Sequence, residues 1–425
     1  MAVDAEHSDI ADPGLAGAGK ARIGWARQAM PVLARITEQF TAGQPFAGLT
    51  VAACLHVTAE TAVLVQALQA GGARVLLAAS NPLSTQDDIA AALAASGAAV
   101  VFARAGADPR TYHDHIHQAL APGPDLIMDD GGDLVNTLHA ERADLLPGVR
   151  GGCESTSTGV LRLRRMAAES ALGFPVVAAD ETATKRVFDN TYGTGQSTLD
   201  GIIRATNLLL AGKVVVVAGY GACGRGIAER ARGLGAQVIV TEVDPVRALE
   251  AIMSGLRVMP MEQAAPLGEV FITATGSRDV IGGPELAAMR DGAILANAGH
   301  FDVEIDLPAL AGQAASVSYD VRPHTDEYQL ADGRRLLLLA EGRVVNLVAA
   351  EGNPASVMDV SFAGQALALA WVAGQAGEDA GLAAGVYPVP AAIEDQIARL
   401  ALAAAGAQID VLSPAQQDYL RSWRH

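Results

Sequence analysis

From about Leu49 to Val177, short apolar runs alternate with alanine-rich stretches of helical spacing. LTVAACL (49–55), ARVLLAA (73–79), AAVVFA (98–103), DLIMD (125–129) and FPVVAA (174–179) read as strands. TAVLVQALQAG (61–71) and DDIAAALAASG (87–97) read as helices between them. Strands that are apolar along their whole length and separated by helices predict a parallel sheet covered on both faces. The alternation restarts at Lys213 with VVVVAGYGACGRG, AQVIVTEVD, EVFITATG and GAILANAGH, which predicts a second doubly wound sheet. Beyond about Asn353 the pattern is helical (FAGQALALAWVAG, AIEDQIARLALAAAG), with no strand left to build. The expected fold is α/β: two doubly wound, Rossmann-like parallel-sheet domains with a helical C-terminal return and tail. Residues 1–187 and 353–388 form the substrate domain, 188–352 the dinucleotide domain and 389–425 the tail.

Composition narrows the partners. A chain of 425 residues exceeds one ordinary core, and 50% hydrophobic against 18% charged residues excludes a disordered chain. The net charge of −17 argues against nucleic acid and anionic membranes, which need a basic face. No apolar run approaches the roughly 20 residues of a membrane span. The start, MAVDAEHSDIADPG, lacks the basic-then-apolar order of a signal peptide. Cys54, Cys153 and Cys223 are odd in number and widely spaced, so neither a disulfide framework nor a zinc knuckle is expected, and a cytoplasmic setting is.

Gly219-Tyr-Gly221-Ala-Cys-Gly224 follows an apolar strand and opens a helix, the context in which a glycine-rich turn binds a dinucleotide. Gly219 permits the tight turn, Gly221 lets backbone approach the pyrophosphate, and Gly224 lets helix and strand pack closely. Free N–H groups at the helix start then hold the phosphates. Glu242 ends the next strand, where a carboxylate accepts hydrogen bonds from the adenosine ribose and repels a 2′-phosphate, so the expected cofactor is NAD. His113, His115 and His117 alternate along a polar helix start, where only His113 and His117 share a face. They read as a solvated face, and no metal is assigned.

Seven ordered blocks carry a wider resemblance: CLHVTAETAVL (54–64), NPLSTQDDIAAAL (81–93), MDDGGDL (128–134), TKRVFDNTYGTGQS (184–197), VVAGYGACGRG (216–226), NAGHFDVEID (297–306) and RRLLLLAEGRVVNL (334–347). Together they resemble the S-adenosyl-L-homocysteine hydrolase family, in its shorter archaeal and thermophile branch. The resemblance implies that NAD takes hydride from C3′ of a nucleoside and that the ketone acidifies C4′–H. The 5′ substituent then leaves, water adds, and hydride returns.

The resemblance also implies roles. Lys185 and Asp189 match the pair facing the 3′-hydroxyl, Asp130 the carboxylate near C4′ and C5′, and His56 and His300 the imidazoles around the 5′ position. Thr58 and Glu60 match adenine-side contacts. Thr156, Ser157, Thr158, Asn190 and Asn346 match residues near the nicotinamide half of NAD, and Asn297 counts among the cofactor-binding residues. A homodimer or homotetramer is expected.

Two positions depart from the family pattern. Ser155 stands in place of the second of two glutamates, and Asn353 in place of a histidine that contacts adenine. The loss of a ribose-facing carboxylate opens space beside the sugar. The reading therefore favours a divergent paralog that dehydrates a sugar-modified adenine nucleoside of the psicofuranine type to a 4′,5′-alkene, as in nucleoside-antibiotic chemistry. The alternatives are hydrolysis of S-adenosylhomocysteine itself and an inactive NAD-binding regulator, the last opposed by the retained catalytic set.

Overall fold

A computed structural model describes residues 8–375 and 381–423. Seven strands open the chain: β1 (Asp9–Ile10), β2 (Thr50–Leu55), β3 (Arg74–Ala79), β4 (Val100–Ala103), β5 (Leu126–Asp129), β6 (Gly151–Glu154) and β7 (Pro175–Ala178). Eight follow: β8 (Val214–Ala218), β9 (Gln237–Thr241), β10 (Arg257–Val258), β11 (Val270–Thr273), β12 (Ala293–Asn297), β13 (Ala314–Arg322), β14 (Thr325–Leu330) and β15 (Arg335–Leu339). The last is β16 (Gly385–Pro388).

The strands form two sheets, ordered β1-β4-β3-β2-β5-β6-β7-β16 and β10-β9-β8-β11-β12-β15-β14-β13. The first is parallel throughout, and its strands β2, β3, β4, β5 and β7 are buried on both faces, as their apolar runs require. In each sheet the strand order turns from descending to ascending at one point. In the first sheet this happens between β2 and β5, in the second between β8 and β11. A crevice opens outside the carboxyl ends of strands at such a point, and that is where ligands bind in sheets of this kind.

Four expectations change. The second sheet is mixed, because β15, β14 and β13 run as an antiparallel meander along its edge. The chain past Asn353 is not wholly helical, since β16 returns to pair in parallel with β7. The helix Ala391–Ala404, read as part of the tail, sends Ile393 and Ile397 into the core of the first sheet. Among the described residues one helix, Ala355–Gln375, is long and apolar enough to cross a membrane, but it is a core element. Its buried Asp359 accepts the N–H groups of Val32 (2.9 Å) and Leu33 (2.7 Å) at the start of the helix Pro31–Gly43.

The strand β6 escaped the sequence reading because GGCE carries no apolar run. Its glycines are a packing demand: a β-carbon at Gly151 would stand 2.5 Å from Val372 and 2.8 Å from the Pro175 carbonyl oxygen. The histidine trio is likewise not one solvated face. His115 is buried on the inner side of its helix, 3.1 Å from Asp9 Oδ2, whereas His117 pairs at the surface with Glu141 at 2.9 Å.

Candidate active site

The two crevices open into one cavity of about 1530 Å³, lined from both sheets. Its second-sheet wall is the glycine turn. Gly219 has φ +92, and a β-carbon on it would meet the Ala274 carbonyl oxygen at 2.8 Å. At Gly224 a β-carbon would stand 1.9 Å from the Gly219 carbonyl oxygen, so that glycine serves packing and does not line the cavity. Gly221 is different. The nearest protein atom to a β-carbon there is Arg247 Nη1 at 3.7 Å, so its bare backbone faces the open cavity.

At the end of β9, Glu242 accepts the backbone N–H groups of Tyr220 (2.7 Å), Val243 (2.6 Å) and Asp244 (3.0 Å). Burial alone would raise this carboxyl; the three donors outweigh it and hold the group below the usual carboxylate range. The group therefore presents a fixed negative charge beside the turn. Further along the wall, the buried Asn346 donates to Ser197 Oγ at 3.0 Å, but its own oxygen has no partner. An open glycine, a fixed carboxylate and an orphaned buried acceptor in one cavity fit a dinucleotide.

A π-helical segment, Lys185–Gly193, carries the next group. Such a wide turn, common at functional sites, brings Lys185, Asp189 and Asn190 to one side. Lys185 Nζ lies 3.1 Å from Asp189 Oδ2, 3.4 Å from Asn190 Oδ1 and 3.5 Å from Asp180 Oδ1. Burial would lower the lysine, but the neighbouring aspartates override it and keep the ammonium above its ordinary value. Asp189 also accepts Asn353 Nδ2 at 2.6 Å and Ser361 Oγ at 2.8 Å.

The first sheet's switch point carries the third group. His56 follows β2 and Asp130 follows β5. The loop after β12 brings His300 across to them. His56 Nε2 lies 3.7 Å from Asp130 Oδ2, and His300 Nδ1 lies 3.8 Å from Asp130 Oδ1. Burial pushes His56 down to about 4; Asp130 pulls it up and His300 pulls it further down. Its Nδ1 sits 2.6 Å from Ser84 Oγ. These three residues bring ligand-type atoms within 4.8 Å of one another, whereas the sequence reading assigned no metal.

Of the remaining expected residues, Thr58, Glu60 and Ser155 line the cavity. Burial raises the Glu60 carboxyl despite local hydrogen bonds. Ser155 turns its hydroxyl back to the Asp129 carbonyl oxygen at 3.2 Å. Two of the three hydroxyls at 156–158 are spoken for. Thr156 caps the helix Ser157–Ala168 and donates to Glu154 at 2.8 Å, and Ser157 donates to Asp180. Thr158 is the one facing Gly276 of the other wall.

Two further expected residues bond the chain itself. Asn297 is fully buried; it bonds Phe301 O, Gly342 O and Gly299 N, so it shapes the loop carrying His300. Asn353 lines the cavity with its side chain bonded to Asp189, Ser197 (2.7 Å) and Asn346 (3.3 Å), which places it beside the lysine–aspartate pair.

Sequence reasoning also missed a support layer. Asp129 and Glu154 close two otherwise uncharged strands and are fully buried. Glu154 accepts the N–H of Gly131 (3.0 Å) and of Thr156 (2.8 Å), and Asp129 accepts those of Asp130 (3.0 Å) and Val135 (2.9 Å). Burial, reinforced by their mutual repulsion, raises Glu154 well above the usual range, and burial raises Asp129 to about 7. For Asp129 a carboxylate ending an apolar strand was the available signal; Glu154 offered none, because GGCE carries no apolar run.

A dinucleotide turn facing proton-handling groups across one cavity defines a two-domain, NAD-dependent α/β enzyme acting on a second small molecule. The model of the S-adenosyl-L-homocysteine hydrolase family matches residues 7–147, and that of its NAD-binding domain residues 190–352. The chain is 54% identical over 415 residues to the adenosylhomocysteinase of Thermosynechococcus vestitus, covering 98% of this chain and 96% of the relative. It is equally identical to that of Aquifex aeolicus, with 98% of each covered, and 52% identical to that of Thermococcus kodakarensis, again with 98% of each covered. The chain belongs to the S-adenosyl-L-homocysteine hydrolase family, and its cofactor is NAD.

Proposed function

We propose that this protein hydrolyses S-adenosyl-L-homocysteine to adenosine and homocysteine through transient oxidation at C3′. The observation that carries the reading is the meeting in one cavity of the glycine turn, the Lys185–Asp189 pair and the His56–Asp130–His300 group. The name borne by relatives more than half identical along nearly the whole chain supports the same substrate.

Bound NAD supplies a reversible hydride acceptor at C3′. Lys185 meets the 3′-hydroxyl as an ammonium with Asp189 and Asp180 behind it, and one cation against two carboxylates leaves a negative charge to receive the hydroxyl proton. The resulting ketone acidifies C4′–H, and Asp130, between two imidazoles, takes that proton. His56, neutral at pH 7, and His300 pass protons to the leaving sulfur and later from the entering water. Homocysteine departs to leave a 4′,5′-alkene, water then adds at C5′, and Asp130 returns its proton to C4′. Hydride then returns to C3′.

A second reading, dehydration of a sugar-modified adenine nucleoside to a 4′,5′-alkene, draws on Ser155. This small uncharged residue lines the cavity, with its hydroxyl turned back to the Asp129 carbonyl oxygen. Mass analysis after separate incubation of NAD-loaded protein with S-adenosylhomocysteine, adenosine and psicofuranine decides between the two. Hydrolysis of the first with kcat/KM of about 10⁴ M⁻¹s⁻¹ or more upholds the proposal. Alkene from psicofuranine with negligible hydrolysis overturns it. In that case Ser155→Glu with Asn353→His raises hydrolysis and lowers dehydration.

A further inference from the structure

We infer that Arg162 is a positioning residue that clasps the loops of the two sheets together and so sets His300 against Asp130. Its guanidinium carbon lies 4.4 Å over the Phe301 ring. The edge of the same group donates to the Gly131 carbonyl oxygen at 3.1 Å and to Asp133 Oδ1 at 2.9 Å. Phe301 in turn meets the His300 ring edge-on, with centroids 4.6 Å apart and planes at 88°. His300 lies close enough to Gly131 that a β-carbon there would stand 2.5 Å from its Nε2. One flat cation thus stacks on the residue after His300 and hydrogen-bonds the residue after Asp130. Only a guanidinium can do both at once, through its face and its edge.

Gly131 belongs to the loop after β5 of the first sheet, and Phe301 to the loop after β12 of the second. The clasp therefore forms only when the two halves lie together. Neither Arg162 nor Phe301 lines the cavity, so their effect on substrate passes through His300 and Asp130. The 3′ site is independent of it, because Lys185 and Asp189 are held by Asp180, Asn353 and Ser361. Loss of the clasp should accordingly slow the 5′ chemistry and spare the oxidation. The inference rests on the proposed function only for what those two steps are.

The test compares NAD-loaded, full-length Arg162→Ala, Arg162→Lys and Phe301→Leu with the parent. Three quantities are followed: the single-turnover rise of reduced-nicotinamide absorbance, steady-state kcat and KM, and hydrogen exchange at residues 298–303. For Arg162→Ala the expected result is oxidation within about two-fold of the parent and kcat about ten-fold lower, short of the hundred-fold that a gross misplacement costs. KM should move less than kcat, and exchange at 298–303 should rise. Arg162→Lys, which keeps the charge but not the stack and fork together, should recover only part of kcat. Unchanged turnover and exchange overturn the inference, as does oxidation falling in step with turnover, which marks a merely structural residue. If Arg162→Ala does not fold, Phe301→Leu carries the same comparison. If the parent oxidises no nucleoside, the proposed function falls while exchange at 298–303 still decides the clasp, a rise upholding it and no change overturning it.

Discussion

Asn353 donates its side-chain amide to Asp189 at 2.6 Å, across 164 residues of sequence. Its oxygen meanwhile accepts from Ser197 and Asn346, so one amide ties the aspartate beside Lys185 to the wall that carries the orphaned Asn346 oxygen. Asn353→Ala should therefore slow the appearance of reduced-nicotinamide absorbance while NAD stays bound. A charge-assisted hydrogen bond of about 1.5–3 kcal/mol corresponds to roughly ten- to hundred-fold. An unchanged rate in stopped flow would show that Ser361 and Lys185 hold Asp189 unaided.

Lys185→Ala and Asp189→Asn should each abolish that transient altogether, with fold and bound NAD intact by circular dichroism and cofactor analysis. Both residues stand in the lysine–aspartate cluster proposed to take the hydroxyl proton. Persistence of the transient in both variants would remove the pair from the oxidation.

Glu242 fixes a negative charge at the end of β9 with three backbone donors. The parent should bind NAD well ahead of NADP, and Glu242→Ala should weaken NAD and narrow the preference. Equal binding of both cofactors to the parent, by calorimetry, would refute the assignment.

The buried Asp129–Glu154 pair and His56 give stability opposite slopes with pH. Asp129 has a folded value of about 7 against an unfolded value near 3.9, so its contribution is complete below about pH 4 and is lost as pH rises through 7. Glu154 is raised in the same sense. His56 is lowered to about 4, so its contribution is present above about pH 6.5 and is lost as pH falls through 4. Glu154→Gln should flatten the decline of melting temperature toward high pH and leave the acid limb in place. Parallel profiles for parent and variant would exclude a protonated Glu154.

Exposed apolar side chains cluster near the end of the described chain: Ile409, Val411, Leu412 and Leu420. A dimer or tetramer is expected by light scattering, as closed symmetric assembly is the usual way to cover such a surface. A concentration-independent monomer would refute this.

The sequence by itself determined the two sheets, the glycine turn and the identity of the groups around the cavity. Strands buried on both faces must be apolar throughout, and a tight strand–turn–helix must be glycine-rich, so both are written locally. His56, Asp130, Lys185, Asp189 and His300 were named through the resemblance of their motifs to a family, and all five line one cavity. Only the tertiary structure decided which groups face which. β6 looked like a loop because glycine has no hydropathy signature, although Val372 and Pro175 require it there. Asn297 and Asn353 were both assigned to ligands, and their amides bond the chain itself. Glu154 beneath the Asp130 loop and Arg162 over Phe301 gave no local signal at all. Hydrophobic periodicity reports whether a position is buried, whereas the partner of a buried polar group is chosen by strands and loops distant in sequence that only the folded chain brings within hydrogen-bonding reach.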